Sequence, residues 1–112
     1  MLTTGKALKV TIYLSDGAKH RGIPVYTSLL DFLHESGVAG ASIFKGVASF
    51  GGDRRIHASH ILELSDHLPI KLEIIDTREK IESILPALEE RCGCGLIEIQ
   101  ETSVIVPVKK TA

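Results

Sequence analysis

The sequence predicts an α+β domain of the ferredoxin-like, split βαβ type: β-α-β-β-α-β with a short C-terminal strand added. Three observations carry that expectation. Apolar residues alternate at Leu8, Val10, Ile12 and Leu14, the period of a half-buried strand. Helical spacing recurs in two separate places, around Leu29 and around Ile84. Between those helices two strand-like runs occur, separated by a loop, and they supply the middle pair of strands of the motif.

Each element has its own reason. After the first strand, Asp16-Gly17 through Gly22 reads as a loop. Pro24 suits the first turn of a helix, where its missing N–H costs nothing. Val25, Leu29, Phe32 and Leu33 then share a face, and Gly37 closes the helix as a left-handed cap. Ala41 to Phe50 reads as the second strand. Ile56 to Leu64 is ambiguous and is read as extended chain followed by a turn. Pro69 opens a third strand in which Ile70, Leu72 and Ile74 face one way. Asp76-Thr77-Arg78-Glu79 has the pattern of a capping box with Asp76 as the cap. Ile81, Ile84, Leu85 and Leu88 continue at helical spacing through Pro86, so one kinked helix is expected. Leu96 to Gln100 makes the fourth strand, and Val104, Val106 and Val108 a short fifth with Pro107 at an edge.

Composition fits one soluble domain spanning residues 1–112: 44% hydrophobic, 24% charged, formal net charge −1. That charge argues against nucleic acid as a partner, which would call for a basic excess. No apolar run approaches a membrane span, and Met1 to Lys6 lacks the apolar core of a secretory signal, so a cytoplasmic protein is expected. Two helices can cover only one sheet face. Ile75, Ile105 and the pairs Ile43/Val47 and Phe44/Phe50 look apolar on both sides, which implies self-association.

The stretch from Lys45 to His57 concentrates the chemistry. Gly46, Gly51 and Gly52 allow close backbone approach, and Lys45, Arg54 and Arg55 bring charge suited to phosphate or carboxylate. Phe50 and His57 flank the basic residues. A second glycine-rich turn, Gly93-Cys94-Gly95, could cradle phosphate oxygens with backbone N–H groups. In a ferredoxin-like fold this turn and the loop after the second strand can meet across a subunit boundary. His57 and His60, with Asp53 or Glu63, form an alternative metal-binding set that falls short of a closed tetrahedral site, so no metal is expected. Cys92 and Cys94 are too close in sequence for an ordinary disulfide. Ser65-Asp66-His67 cannot assume triad geometry as consecutive residues, and no Gly-x-Ser-x-Gly, Walker A or dinucleotide fingerprint occurs, so no enzyme is expected.

An ordered set of motifs carries a resemblance across nearly the whole chain: Gly22-Ile23-Pro24-Val25-Tyr26, Gly37 to Ala41, Lys45-Gly46 with Phe50-Gly51, Ile56-His57, Leu64 to Pro69, and Ile74 to Asp76. Together they resemble the domain-of-unknown-function 190 family, itself similar to the P-II-like signalling proteins. The resemblance implies a ferredoxin-like homotrimer. It makes the segment between strands two and three similar to the P-II T-loop, and the Gly93–Gly95 turn similar to the B-loop. It further implies an adenine nucleotide (ATP, ADP, AMP or cyclic AMP) bound between subunits, and a partner protein such as a membrane transporter. The candidate ligand residues are Lys45, Gly46, Phe50, Gly51, Arg54, Arg55, His57, Gly93 and Gly95. Ser49 replaces a glycine of the family pattern, and the Cys92–Gly95 turn lacks the lysine of true P-II proteins.

Overall fold

A computed structural model describes residues 1–58, 68–93 and 95–108 of the chain. Four strands form one antiparallel sheet: β1 (Gly5–Ser15), β4 (Ala41–Lys45), β7 (Pro69–Asp76) and β8 (Leu96–Val104). Their order across the sheet is β4-β7-β1-β8, so β1 lies inside and β4 and β8 form the edges. Two helices, α1 (Val25–Glu35) and α2 (Arg78–Cys92), connect these strands. This is the expected ferredoxin-like arrangement.

Alternation decides which side is core. Leu8, Val10 and Ile12 of β1 are buried with Ile70, Leu72 and Ile74 of β7. Val25, Leu29 and Leu33 of α1 and Ile81, Ile84 and Leu88 of α2 complete this layer. Burying each such side chain is worth about 1.5–3 kcal/mol, which outweighs the helix-breaking tendency of Pro86. α2 accordingly runs through Pro86 to Cys92. Cys92 is itself buried in the core, and Cys94 lies outside the described residues.

Several expectations are corrected. The loop expected at 16–22 instead carries the first strand and the turn of a two-stranded ribbon, β2 (Lys19–His20) with β3 (Ile23–Pro24), turning through positive φ at Arg21 and Gly22. The ribbon brings the Ala18 carbonyl to the Val25 amide at 2.9 Å, satisfying one orphan donor of α1, and Pro24 sits at the cap just before the helix. The second strand stops at Lys45 rather than Phe50. Ala48–Ser49 (β5) pairs instead with His57–Ala58 (β6), making a separate hairpin. Residues 59–67, which include the remainder of the ambiguous 56–64 segment, lie outside the described residues.

Thr77, not Asp76, caps α2, its hydroxyl accepting from the Lys80 amide at 3.2 Å. Asp76 is the last residue of β7 and is 3% exposed, because strand alternation turns it inward. Its carboxylate accepts from the Ala39 amide at 2.8 Å and the Thr77 amide at 2.7 Å. The expected fourth and fifth strands are one: β8 runs to Val104, and residues 105–108 are not strand. Val106 is tied down instead by Thr4, whose hydroxyl accepts from the Val106 amide at 2.8 Å.

The uncovered sheet face is mixed rather than apolar. Ile43 packs against the helix-side core, and Val47 and Ile105 lie beyond the four-stranded sheet. Phe44, Lys71, Tyr13 and Leu96 form one row across the face, and Ser42, Glu73, Thr11 and Glu98 the next. Lys71 and Lys9 reach Glu73 at 3.1 and 3.5 Å. The Lys71 hydrogen bond, opposed in part by desolvation, holds the Glu73 carboxyl below the usual range. Tyr13 donates to Glu98 at 3.2 Å, and partial desolvation followed by that carboxylate raises its phenol. Ile75 is half-buried beside Lys9.

Asp76→Ala would strand two amides in a part-buried turn and should lower unfolding stability by about 1–3 kcal/mol. Thr77→Ala should cost about 1 kcal/mol through loss of the cap. Urea unfolding of the two variants checks both the sizes and their order. Equal losses would make Asp76 an ordinary cap residue.

Candidate functional site

The sheet places the sequence-predicted residues in three groups. Lys45 and Gly46 stand at the root of the β5–β6 hairpin, where β4 ends. Phe50, Gly51, Arg54, Arg55 and His57 belong to the hairpin's outer part. Gly93 and Gly95 lie where α2 enters β8.

The root is closely packed. The Gly46 amide donates to the Pro69 carbonyl at 2.8 Å. A Cβ at Gly46 would come within 2.6 Å of the Pro69 ring, so glycine is needed for this approach. Lys45 pairs with Asp16 at 3.1 Å, a partner that the linear sequence does not reveal because it depends on strand register.

The tip is organised by its own contacts. The Arg54 amide donates to the Gly51 carbonyl at 2.9 Å, and Arg54 has a left-handed backbone (φ 60°). Its guanidinium lies 5.2 Å from the Phe50 ring centroid. Asp53 accepts from the Arg55 amide at 2.9 Å and lies 3.2 Å from His57 Nε2. A carboxylate only accepts, so Nε2 carries the proton in this contact. Nδ1 is buried and has no hydrogen-bond partner among the described residues. Asp53 therefore matters more than its minor place in the sequence reading suggested. Val47, Phe50 and Ile56 are exposed around this basic tip.

His57 faces Asp53, while His60 and Glu63 of the alternative metal set lie outside the described residues.

Gly95 has a packing role first. A Cβ there would meet Leu14 Cδ2 at 2.6 Å, Cys92 Sγ at 2.8 Å and the Tyr13 carbonyl at 2.8 Å. Its amide donates to the Cys92 carbonyl at 3.4 Å. A valine at Gly95 would therefore collide within its own subunit rather than merely block a ligand. Gly93 ends α2 with φ 68°, and a Cβ there would meet open space.

Register relates the groups to one another. Lys45 pairs with Ile70, Ile70 pairs with Leu14, and Tyr13 pairs with Leu96, next to Gly95. Lys45 and Gly95 therefore lie at the same end of the sheet on opposite edges, three interstrand steps or about 14 Å apart. One chain cannot close both groups around a phosphate. A cavity of about 390 Å³ lined by Lys6, Arg78, Glu101 and Ser103 lies at the other end and touches none of the nine residues.

Comparisons with known proteins agree with this architecture. The family model DUF190, described as an uncharacterized ACR, matches residues 7–104. A UPF0166 protein of Aquifex aeolicus is 33% identical over 94 residues, covering 84% of this chain and 89% of the relative. A UPF0166 protein of Methanocaldococcus jannaschii is 35% identical over 100 residues, covering 88% and 92%. Among solved structures, a PII-like signaling protein of Thermus thermophilus superposes with a TM-score of 0.65 at 18% identity, covering 93% of this chain and 94% of that one. CPII, a nitrogen regulatory PII-like protein of Thiomonas intermedia K12 bound to ADP, AMP and bicarbonate, gives 0.63 at 17% identity, covering 88% and 94%. Identities this low show a shared fold. No helix among the described residues is long and apolar enough to cross a membrane.

The Asp53 contacts predict an acid response of the tip. The Arg55 amide first, then His57, hold the Asp53 carboxyl below its usual range. A depressed carboxyl adds stability above its unfolded value and loses it as pH falls through the folded value. The protection of the Arg55 amide, taken relative to its intrinsic exchange rate, should therefore hold at neutral pH and fall only below about pH 4, the unperturbed aspartate range. Asp53→Asn should abolish that acid step. An acid step unchanged in Asp53→Asn would assign it to another group.

Proposed function

The chain belongs to the DUF190 family, and from that premise we propose that it is a non-enzymatic, cytoplasmic P-II-like regulator. In this proposal a homotrimer binds an adenine nucleotide in clefts between subunits and acts through the residue 46–58 hairpin on a partner protein, such as a membrane transporter. The observation that carries it is the placement of Lys45 and the Gly93–Gly95 turn at one end of the sheet on opposite edges. Neither group can complete an anion site alone, and a neighbouring copy can bring the second to the first. The ADP and AMP bound by CPII support the ligand class.

Roles follow from chemistry. Lys45 meets phosphate at the root, and the exposed Gly93 turn approaches it from the neighbour through backbone donors. Gly95 holds that turn tightly against Leu14. Arg54 and Arg55 complete neutralisation when the tip folds toward the root, with Phe50 and Gly51 shaping the tip and His57 positioning it through Asp53. Contacts to the ligand offset the entropy of ordering the hairpin, and that ordering presents or withdraws the partner surface. The uncovered sheet face, with Phe44, Tyr13, Ile75 and Leu96 among its charges, supplies the contact between copies.

Calorimetric titration with ATP, ADP, AMP and cyclic AMP should find at least one that binds. Arg54→Ala or Arg55→Ala should then weaken binding roughly ten- to hundredfold, the worth of a hydrogen bond to a charged group. Unchanged affinity in the double variant would leave these arginines as a solvated tip.

Light scattering should give three times the 12.1 kDa subunit mass. Ile75→Asp should lower that mass without unfolding the chain, whereas Ile43→Asp, on the core side, should unfold it. A parent protein that is monomeric at micromolar concentration would eliminate the inter-subunit site.

A further inference from the structure

The hairpin root is tied by a closed ring of contacts. Lys45 Nζ lies 3.1 Å from Asp16 Oδ2. The Asp16 amide donates to the Leu68 carbonyl at 2.9 Å, and the next residue, Pro69, accepts from the Gly46 amide at 2.8 Å. Gly46 follows Lys45, so the ring closes across the ends of β1, β7 and β4. Two of its three non-covalent links are backbone hydrogen bonds, and the Gly46 link is further fixed by the Pro69 ring against it. The Lys45–Asp16 ion pair is the remaining link, made by side chains alone.

That link is asymmetric. The Lys45 side chain is 57% exposed and the Asp16 side chain 20% exposed. The lysine stem can rotate toward solvent, while the aspartate is held by the turn that carries it. A polyanion arriving at the root meets a cation already occupied by a carboxylate.

We propose that Asp16 is the resident counter-ion of the anion site: a bound polyphosphate takes Lys45 from it and so releases the side-chain link at the hairpin root. This inference rests on the nucleotide reading for the identity of the anion and adds the residue that regulates it. Asp16 sets a threshold. A ligand must attract Lys45 more strongly than a fixed neighbouring carboxylate does, which favours di- and triphosphates over singly charged anions. Loss of the ion pair loosens the hairpin where it leaves the sheet, and ligand charge thereby reaches the tip.

The test uses the full chain, with ADP, ATP and inorganic triphosphate as probes. In Asp16→Asn, Lys45 has no carboxylate to leave, and each probe should bind about two- to fivefold tighter, the scale of a partly exposed ion pair. The gain should vanish when Asp16→Asn is made in a Lys45→Gln background, because Asp16 acts through Lys45. A gain that persists in that background assigns Asp16 only a diffuse repulsion and overturns the proposal. Unchanged or weaker binding in Asp16→Asn also overturns it, with the nucleotide reading intact. A parent protein that binds none of the probes overturns the proposal, and the nucleotide reading falls with it only if AMP and cyclic AMP also fail to bind.

A second readout needs no ligand. Trypsin should cut after Arg54 and Arg55 severalfold faster in both Asp16→Asn and Lys45→Gln than in the parent. Lys45→Gln breaks the same pair from its other end, so acceleration confined to Asp16→Asn marks a folding defect and counts against the proposal. Equal rates in parent and both variants show that the pair does not restrain the hairpin.

Discussion

The structure depends on β1 being paired along its length on both sides. Leu8 to Ser15 are matched with β7 and Gly5 to Tyr13 with β8, so β1 fixes the register of the whole sheet. A shift by one residue would turn Val10 and Ile12 outward and Lys9 and Tyr13 into the core, at a cost of several kilocalories. With β1 locked, Asp16 must emerge beside the end of β4 and Gly95 must pack under Leu14. The positions of both candidate loops are thus consequences of core packing in the central strand.

How much of this was legible in the sequence follows the range of the physics. Alternation at Leu8, Val10 and Ile12 and helical spacing at Leu29, Leu33, Ile84 and Leu88 are local signals that tertiary burial reinforces, and those elements stand as read. The end of β4 was not legible. Ala48 and Ser49 look like a continuation, yet they pair with Ala58 and His57, and only the Gly46–Pro69 contact shows where the chain leaves the sheet. The expectation of Asp76 rather than Thr77 as cap failed for a related reason. Both residue types can cap, and strand alternation from Ile70 to Ile74 turns Asp76 inward.

The candidate site was legible as residue types and not as geometry. The glycines and cations of the Lys45–His57 segment announced a basic loop. Nothing in their order showed that Lys45 already holds Asp16, that Arg54 rests on Phe50, or that Asp53 joins Arg55 to His57. Each pairing is made within the single chain, so the proposed ligand would bind by an exchange of partners. The same principle governs the open sheet face, where Lys9 and Lys71 both pair with Glu73 between apolar residues. Such a face can meet a second copy without carrying unpaired charge into the contact.

The central claim is that the anion site is shared between two copies, since one sheet holds its halves at the same end but on opposite edges. A crystal structure of the protein grown with ADP tests this most directly. The account predicts the phosphates between Lys45 of one protomer and the Gly93 turn of its neighbour. Phosphates held wholly within one chain, such as in the cavity lined by Lys6 and Arg78, would contradict it.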